Sequence, residues 1–185
     1  MTSRDEVRQD ADLPARVAAA VRVARTKRGL TAAQLSDRTA QFGKTISRAV
    51  ISDLETGRKK TLDVAELISL SAALDTSPAV LLFGDQLADG EVELLPGLKM
   101  TAIAALQWFS GIEPMVEGVD GGRYREANRP ASQARKIEEV RQFARAAAIE
   151  FRDTRDIDLL QEAVRSKIAA EIEARDAGLI VVDDG

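Results

Sequence analysis

Between Gln34 and Lys60 the chain carries side chains suited to gripping and reading a polyanion. Lys44, Arg58, Lys59 and Lys60 hold their charge on long flexible stems, and Gln34 and Ser47 add short hydrogen-bonding groups. Such residues hold phosphate oxygens, and their attraction is sensitive to salt and carries no sequence information. Arg48, Ala49, Ser52 and Asp53 are of another kind. On a helix that begins after Ser47 they share one side, opposite Val50, Ile51 and Leu54. A guanidinium matches the two acceptors on a guanine edge, a small methyl meets a thymine methyl, and a carboxylate accepts from a cytosine amino group. Arg48 is thus a base reader or, failing that, a phosphate contact, and Asp53 either accepts from cytosine or orients Arg48. Glu55 should not face phosphate, which it would repel.

Other chemistry is thinly represented. The 185 residues include no cysteine and no histidine. That removes disulfides, thiol nucleophiles, the usual zinc ligand sets and the commonest general base. Asp153, Asp156 and Asp158 lack the glycine and spaced glutamate of a calcium loop. The GVDGG run at 118–122 has neither the helix context nor the lysine of a phosphate loop. The Ala-Gly pair at 177–178 lies far from any linker where self-cleavage would occur. The expectation is a protein that is not an enzyme, with no cofactor and no metal.

Charge is divided steeply along the sequence. Residues 13–60 hold eleven basic against three acidic side chains, +8, whereas the whole chain is -4. Residues 1–12 contribute -2, so 61–185 must carry -10. A basic head and an acidic body favour a polyanion at one end. No window approaches the roughly 18 consecutive apolar residues of a membrane span, and the start lacks a signal-peptide core, so the expectation is a cytoplasmic protein without membrane contact, nucleoid-associated when bound to DNA.

The elements that must position these residues are short helices. Val17, Ala20, Val21 and Ala24 recur at helical spacing until Gly29 ends the first helix. Thr31 with Gln34 forms a capping-box pattern for a second, anchored by Leu35 and running to about Thr39. Ser47 caps a third, which Gly57 stops. Thr61 or Asp63 opens a fourth, with Val64, Leu67, Ile68 and Ser71 to Leu74 repeating at helical spacing so as to cover the first three, and Asp63 with Glu66 as another capping box. Ser77-Pro78 starts a fifth that ends at Gly84. Glu91–Leu95 reads as a strand, Pro96-Gly97 as a turn and Met100–Phe109 as a helix. The glycines and prolines of 111–130 suggest a flexible connection, and Trp108, Phe109 and Tyr124 read as core more readily than as a ligand pocket.

Beyond Ser132 the pattern changes. Ile137, Val140, Ala144, Ala147 and Phe151 alternate at spacings of three and four, widened by Phe143, and Leu160, Val164, Ile168 and Ile172 continue at four. These residues are expected to pair two chains as a homodimer, the alternative being a hairpin closed on itself. Leu179–Val182 is an apolar tail that could form a strand.

Several motifs occur in a fixed order: RTKRGLT at 25–31, Leu35, Ile46-Ser47, VISDLETGR at 50–58, and Ala65–Leu74 ahead of Thr76-Ser77-Pro78. In this order they resemble the DNA-binding domain of the xenobiotic-response-element family, which includes the lambda repressor and Cro. The resemblance implies a five-helix lambda-repressor-like DNA-binding domain (13–84); with the patterns read above, the expectation is a mainly α protein that continues through a small mixed linker region with strand, turn and helix (85–131) to a C-terminal helical domain (132–182) for dimerisation or partner binding. It implies double-stranded DNA as partner, major-groove reading by helix three, and a sequence-specific transcriptional regulator acting as a repressor, including the phage immunity type. An autoregulating antitoxin and an adaptor that does not bind DNA remain as alternatives, and the sequence names no small-molecule effector. Two departures stand out. Ala40–Thr45 lengthens the connection between helices two and three, similar to a Phe-Gly-containing version in actinobacterial and actinophage regulators. Ala32 stands where the family commonly has glutamine.

Overall fold

The computed structural model describes residues 13–84, 90–95, 97–114 and 120–182. Pro96 of the expected turn, Gly118 of the expected connection and the Asp183-Asp184-Gly185 end lie outside the described residues. The chain is mainly helical and forms two compact units, the first closing at Phe109 and the second beginning at Ser110.

The first unit opens with α1 (Leu13–Lys27), α2 (Ala32–Ala40), α3 (Arg48–Glu55), α4 (Val64–Ala73) and α5 (Pro78–Phe83). Side chains set each helix start. Thr31 accepts from the Gln34 amide while Gln34 reaches back to Thr31, and Asp63 and Glu66 do the same for α4. Ser47 and Ser77 each accept from the amide three residues on, with Pro78 following Ser77 at a position where no N–H is needed. Gly57, at φ +71°, makes the left-handed stop of α3 that a side chain would strain.

The core is formed by Val17, Val21, Leu35, Ile51, Leu54, Leu70, Leu74 and Leu81, all nearly inaccessible. Here the reading of α4 is corrected in part: of its stripe Ser71, Ala73 and Leu74 are buried, but Val64 and Ile68 are not. Val64 is 73% and Ile68 55% exposed, and the helix buries Leu70, Ala73 and Leu74. The helix is apolar almost all round, so spacing alone did not say which stripe faces in. Val64 and Ile68 fall some 120–160° around the helix from Leu70 at 3.6 residues per turn.

A two-stranded antiparallel hairpin follows: β1 (Glu91–Leu95) pairs with β2 (Leu98–Thr101), Glu91 opposite Thr101 and Val92 opposite Met100. It leads into α6 (Ala102–Phe109), so the strand and helix read from the sequence are present with one strand added. Val92 and Leu94 point inward, and Phe109 meets Phe83 edge-on at 5.7 Å. Arg16 binds this hairpin to the helices. Its Nε donates to the Leu82 carbonyl at 2.9 Å and its Nη1 to the Glu93 carbonyl at 3.1 Å. Burial depresses its pKa, against the raising effect of Glu93.

The second unit contains α7 (Gly121–Ala127), α8 (Arg129–Thr154) and α9 (Ile157–Asp176). The flexible connection expected for 111–130 is therefore corrected in part: Asp120 caps α7 by accepting from Gly122 and Arg123, and α8 begins before Ser132, with Pro130 in its first turn. Arg155, in the left-handed region at φ +58°, turns the chain, and Asp156 caps α9. Lys136 pairs with Glu173 and Arg141 with Glu171, which fixes α8 and α9 as antiparallel. Leu179–Val182 has no strand assignment. Among the described residues no helix is long and apolar enough to cross a membrane.

Candidate nucleic-acid interface

α2 and α3 stand in fixed relation despite the long connection between them, and one hydroxyl explains how. Thr39 is fully buried at the end of α2. Its Oγ1 donates to the Ser36 carbonyl at 2.7 Å and accepts from the Ile46 amide at 3.0 Å. The six residues between Thr39 and Ile46 thus leave and return to a single point. Gly43 turns with φ +84°, and Ile46 is buried beside the start of α3.

α3 is anchored from the other side by Arg25. The guanidinium donates from Nε to Glu55 Oε1 at 2.6 Å and from Nη2 to Glu55 Oε2 at 2.8 Å, and its Nη1 donates to the Leu30 carbonyl at 2.5 Å. The Glu55 hydrogen bond raises the Arg25 pKa, keeping it a permanent cation. Glu55 thus holds α3 to α1. Its partner was not singled out from sequence, although Arg25 continues the Val17–Val21 spacing and so marks a cation on a buried stripe.

With both ends held, α3 presents Arg48 and Ala49 exposed in its first turn, with Ser52 and Asp53 half-buried beyond them. Among the described residues Arg48 has no ion-pair partner. Asp53 does not reach it; its carboxylate binds Arg58 at 2.7 Å instead. Five residues on a helix separate Arg48 and Asp53 by about 7.5 Å along the axis. The chain folding back after Gly57 brings Arg58 alongside.

The flanking cations are mostly held by carboxylates. Lys44 pairs with Asp63 at 2.6 Å, and this hydrogen bond is the main cause of the lowered Asp63 pKa. Lys59 pairs at 3.2 Å with Glu66, itself buried in the α4 cap, and the Lys59 amide donates to the Asp53 carbonyl. Lys60 is exposed and has no ion-pair partner among the described residues. Gln34 spends its carbonyl oxygen on the Thr31 amide and hydroxyl, leaving its amide hydrogens as donors, and Ser47 keeps its hydroxyl proton while accepting from Val50. A further corner joins α1 and α2 to the end of α4. Asp75, at φ +45°, takes Arg38 on its carboxylate at 2.8 Å and Arg28 on its carbonyl at 2.8 Å.

Two short helices, the second fixed at both ends and showing an unpaired arginine at its first turn, form the arrangement that decides the comparison. Residues 21–81 match the helix-turn-helix family. The matched type is that of the lambda repressor and Cro, and it points to a DNA-binding transcription regulator. No curated protein and no solved structure gave a match. The match spans α2 and α3 and ends inside α5, so the hairpin and the second unit lie outside it.

Proposed function

We propose that the chain is a sequence-specific repressor whose α3 enters the major groove of double-stranded DNA, with Arg48 reading a guanine. A groove about 12 Å wide admits one helix, and residues near that helix's N-terminus reach the base edges. The observation that carries the reading is the state of Arg48: exposed on the first turn of α3 and unpaired, while Lys44, Arg58 and Lys59 beside it are each taken by a carboxylate. An unpaired guanidinium on a fixed helix keeps both N–H edges for one base. Ala49 faces a thymine methyl, Ser52 adds a hydroxyl, and Asp53 accepts from a cytosine while keeping Arg58 beside the groove. Lys60, Gln34 and Ser47 hold phosphates directly. Lys44, Arg58 and Lys59 supply positive potential from anchored positions.

The connection between α2 and α3 is the feature shared with the actinobacterial and actinophage version, and the Thr39 clasp lets it lengthen without loosening the helix pair. Fluorescence anisotropy on the chain's own upstream region, against competitor DNA, tests the reading. Arg48→Ala is expected to lose about 1–3 kcal/mol of preference for that site. Lys60→Ala is expected to weaken all sequences alike. A wild-type protein that never distinguishes any genomic fragment from competitor would leave the helix-turn-helix as an adaptor.

A further inference from the structure

The helix-turn-helix carries its own competitor for phosphate. Between Lys44 and Glu66 five basic side chains are set against four acidic ones, a balance of +1, although residues 13–60 hold +8. The fold places three of those acids on the flanking cations. Lys44 Nζ lies 2.6 Å from Asp63 Oδ2, Arg58 Nε and Nη2 each 2.7 Å from Asp53 Oδ1, and Lys59 Nζ 3.2 Å from Glu66 Oε2. The fourth, Glu55, is taken by Arg25. The acids are themselves fixed. Asp63 Oδ1 accepts from the Glu66 amide at 2.7 Å and Glu66 Oε2 from the Asp63 amide at 3.1 Å, and Glu66 is buried. Asp53 stands on α3, where its carbonyl accepts from the returning Lys59 amide.

We propose that Asp53, Asp63 and Glu66 are specificity determinants: by holding Arg58, Lys44 and Lys59 they suppress binding to DNA of the wrong sequence and leave recognition to Arg48. This rests on the reading of α3 as the helix that enters the groove, and deepens it. A carboxylate and a phosphate diester each bring one negative charge, so moving a cation from one to the other gains little, and the carboxylate left behind repels the backbone. Affinity for DNA of any sequence comes from cations that displace its counterions. A freed lysine or arginine reaches phosphates in any register, which is what non-specific binding needs. A cation held in one place serves only the phosphate that lies there when α3 is seated. The carboxylates therefore lower the sequence-independent affinity more than the contact of Arg48 with a base, and so raise the ratio by which one site is found among many.

Amides of the same shape release the cations and keep the start of α4, since Asn caps a helix as Asp does and Gln serves three residues on. The full chain and its Asp53→Asn/Asp63→Asn/Glu66→Gln variant are titrated by anisotropy on a random-sequence duplex at three salt concentrations and on the chain's own upstream duplex. Circular dichroism is followed alongside. The variant is expected to bind the random duplex about tenfold or more tightly at 0.1 M salt, with the slope of log K against log salt steeper by about three and the preference for the upstream duplex reduced. Asp37→Asn removes an exposed acid of α2 that is paired with no described residue, and is expected to leave the slope unchanged. A folded triple variant with wild-type affinity and slope on the random duplex overturns the proposal and leaves the Arg48 reading standing. An equal effect from Asp37→Asn also overturns it, because net charge would then be the cause. Tighter random binding by the variant, with no preference by the wild type for any genomic fragment, keeps the restraint and removes the Arg48 reading. If the triple variant loses helix, Asp53→Asn alone, whose acid caps no helix, decides by a slope change of about one.

Discussion

Arg25 and Glu55 join α1 to α3 through two parallel hydrogen bonds of 2.6 and 2.8 Å, with only 17% and 9% of their side chains exposed. Bidentate geometry fixes angle as well as distance, so this pair sets the tilt of α3. Glu55→Ala leaves the Arg25 cation facing the core edge. The expected loss is about 2–3 kcal/mol, below the ~3–5 of a fully buried pair. Urea unfolding of the full chain checks it, and Glu55→Gln, which keeps one acceptor, should lose less.

Thr39 is the second anchor, and its hydroxyl is the acceptor for a buried amide. Thr39→Val keeps the shape and strands the Ile46 N–H, with an expected cost of about 1–3 kcal/mol. Thr39→Ser restores the oxygen and should recover most of it. Hydrogen exchange at the Ile46 amide gives the local readout: fast in the valine variant, slow in the other two.

Asp53 restrains Arg58 on the surface proposed to meet DNA. In Asp53→Asn a negative charge leaves and Arg58 is freed for phosphate. Affinity for competitor DNA should rise, and the slope of log K against log salt should steepen by about one. Anisotropy titrations at three salt concentrations would show this; an unchanged slope would mean that Arg58 does not face DNA.

The Lys44–Asp63 pair gives a pH dependence of definite sign. Its hydrogen bond holds the Asp63 carboxyl below the ordinary carboxylate range in the folded chain. The contribution is therefore present above the unfolded value and disappears as pH falls through the depressed folded value. Carboxyl NMR titration should find Asp63 low in the wild type and returned toward normal in Lys44→Ala. Both groups are largely solvent-accessible, so the midpoint of acid unfolding should move little.

Where the sequence spoke clearly, it spoke through caps. Thr31 with Gln34, Asp63 with Glu66, Ser47, and Ser77 with Pro78 each bind the orphan amides of one helix start, a local chemistry that needs no tertiary knowledge. The exposed pair Arg48 and Ala49 followed from the spacing of α3. What escaped were contacts set by how the chain turns or packs beyond a single helix. Nothing local to Asp53 announces Arg58, because the turn at Gly57 brings them together. The four-residue spacing of Val64 and Ile68 was real, yet on an apolar helix the choice of inward stripe belongs to the neighbours. Thr39 and Arg25 did leave a trace, each a polar residue four places after a buried one, at Leu35 and Val21.

The Arg16 guanidinium has a practical bearing on where this chain can be cut. It donates to Leu82 at the end of α5 and to Glu93 in β1, and the amide of Ala102 reaches the Gly90 carbonyl across the base of the hairpin. A fragment stopped just after α5 would leave one side of that cation without its acceptor and the edge of Phe83 without Phe109. The smallest autonomous piece bearing the helix-turn-helix should therefore end after α6, and limited proteolysis would be expected to spare bonds within β1, β2 and α6, which the family match leaves outside.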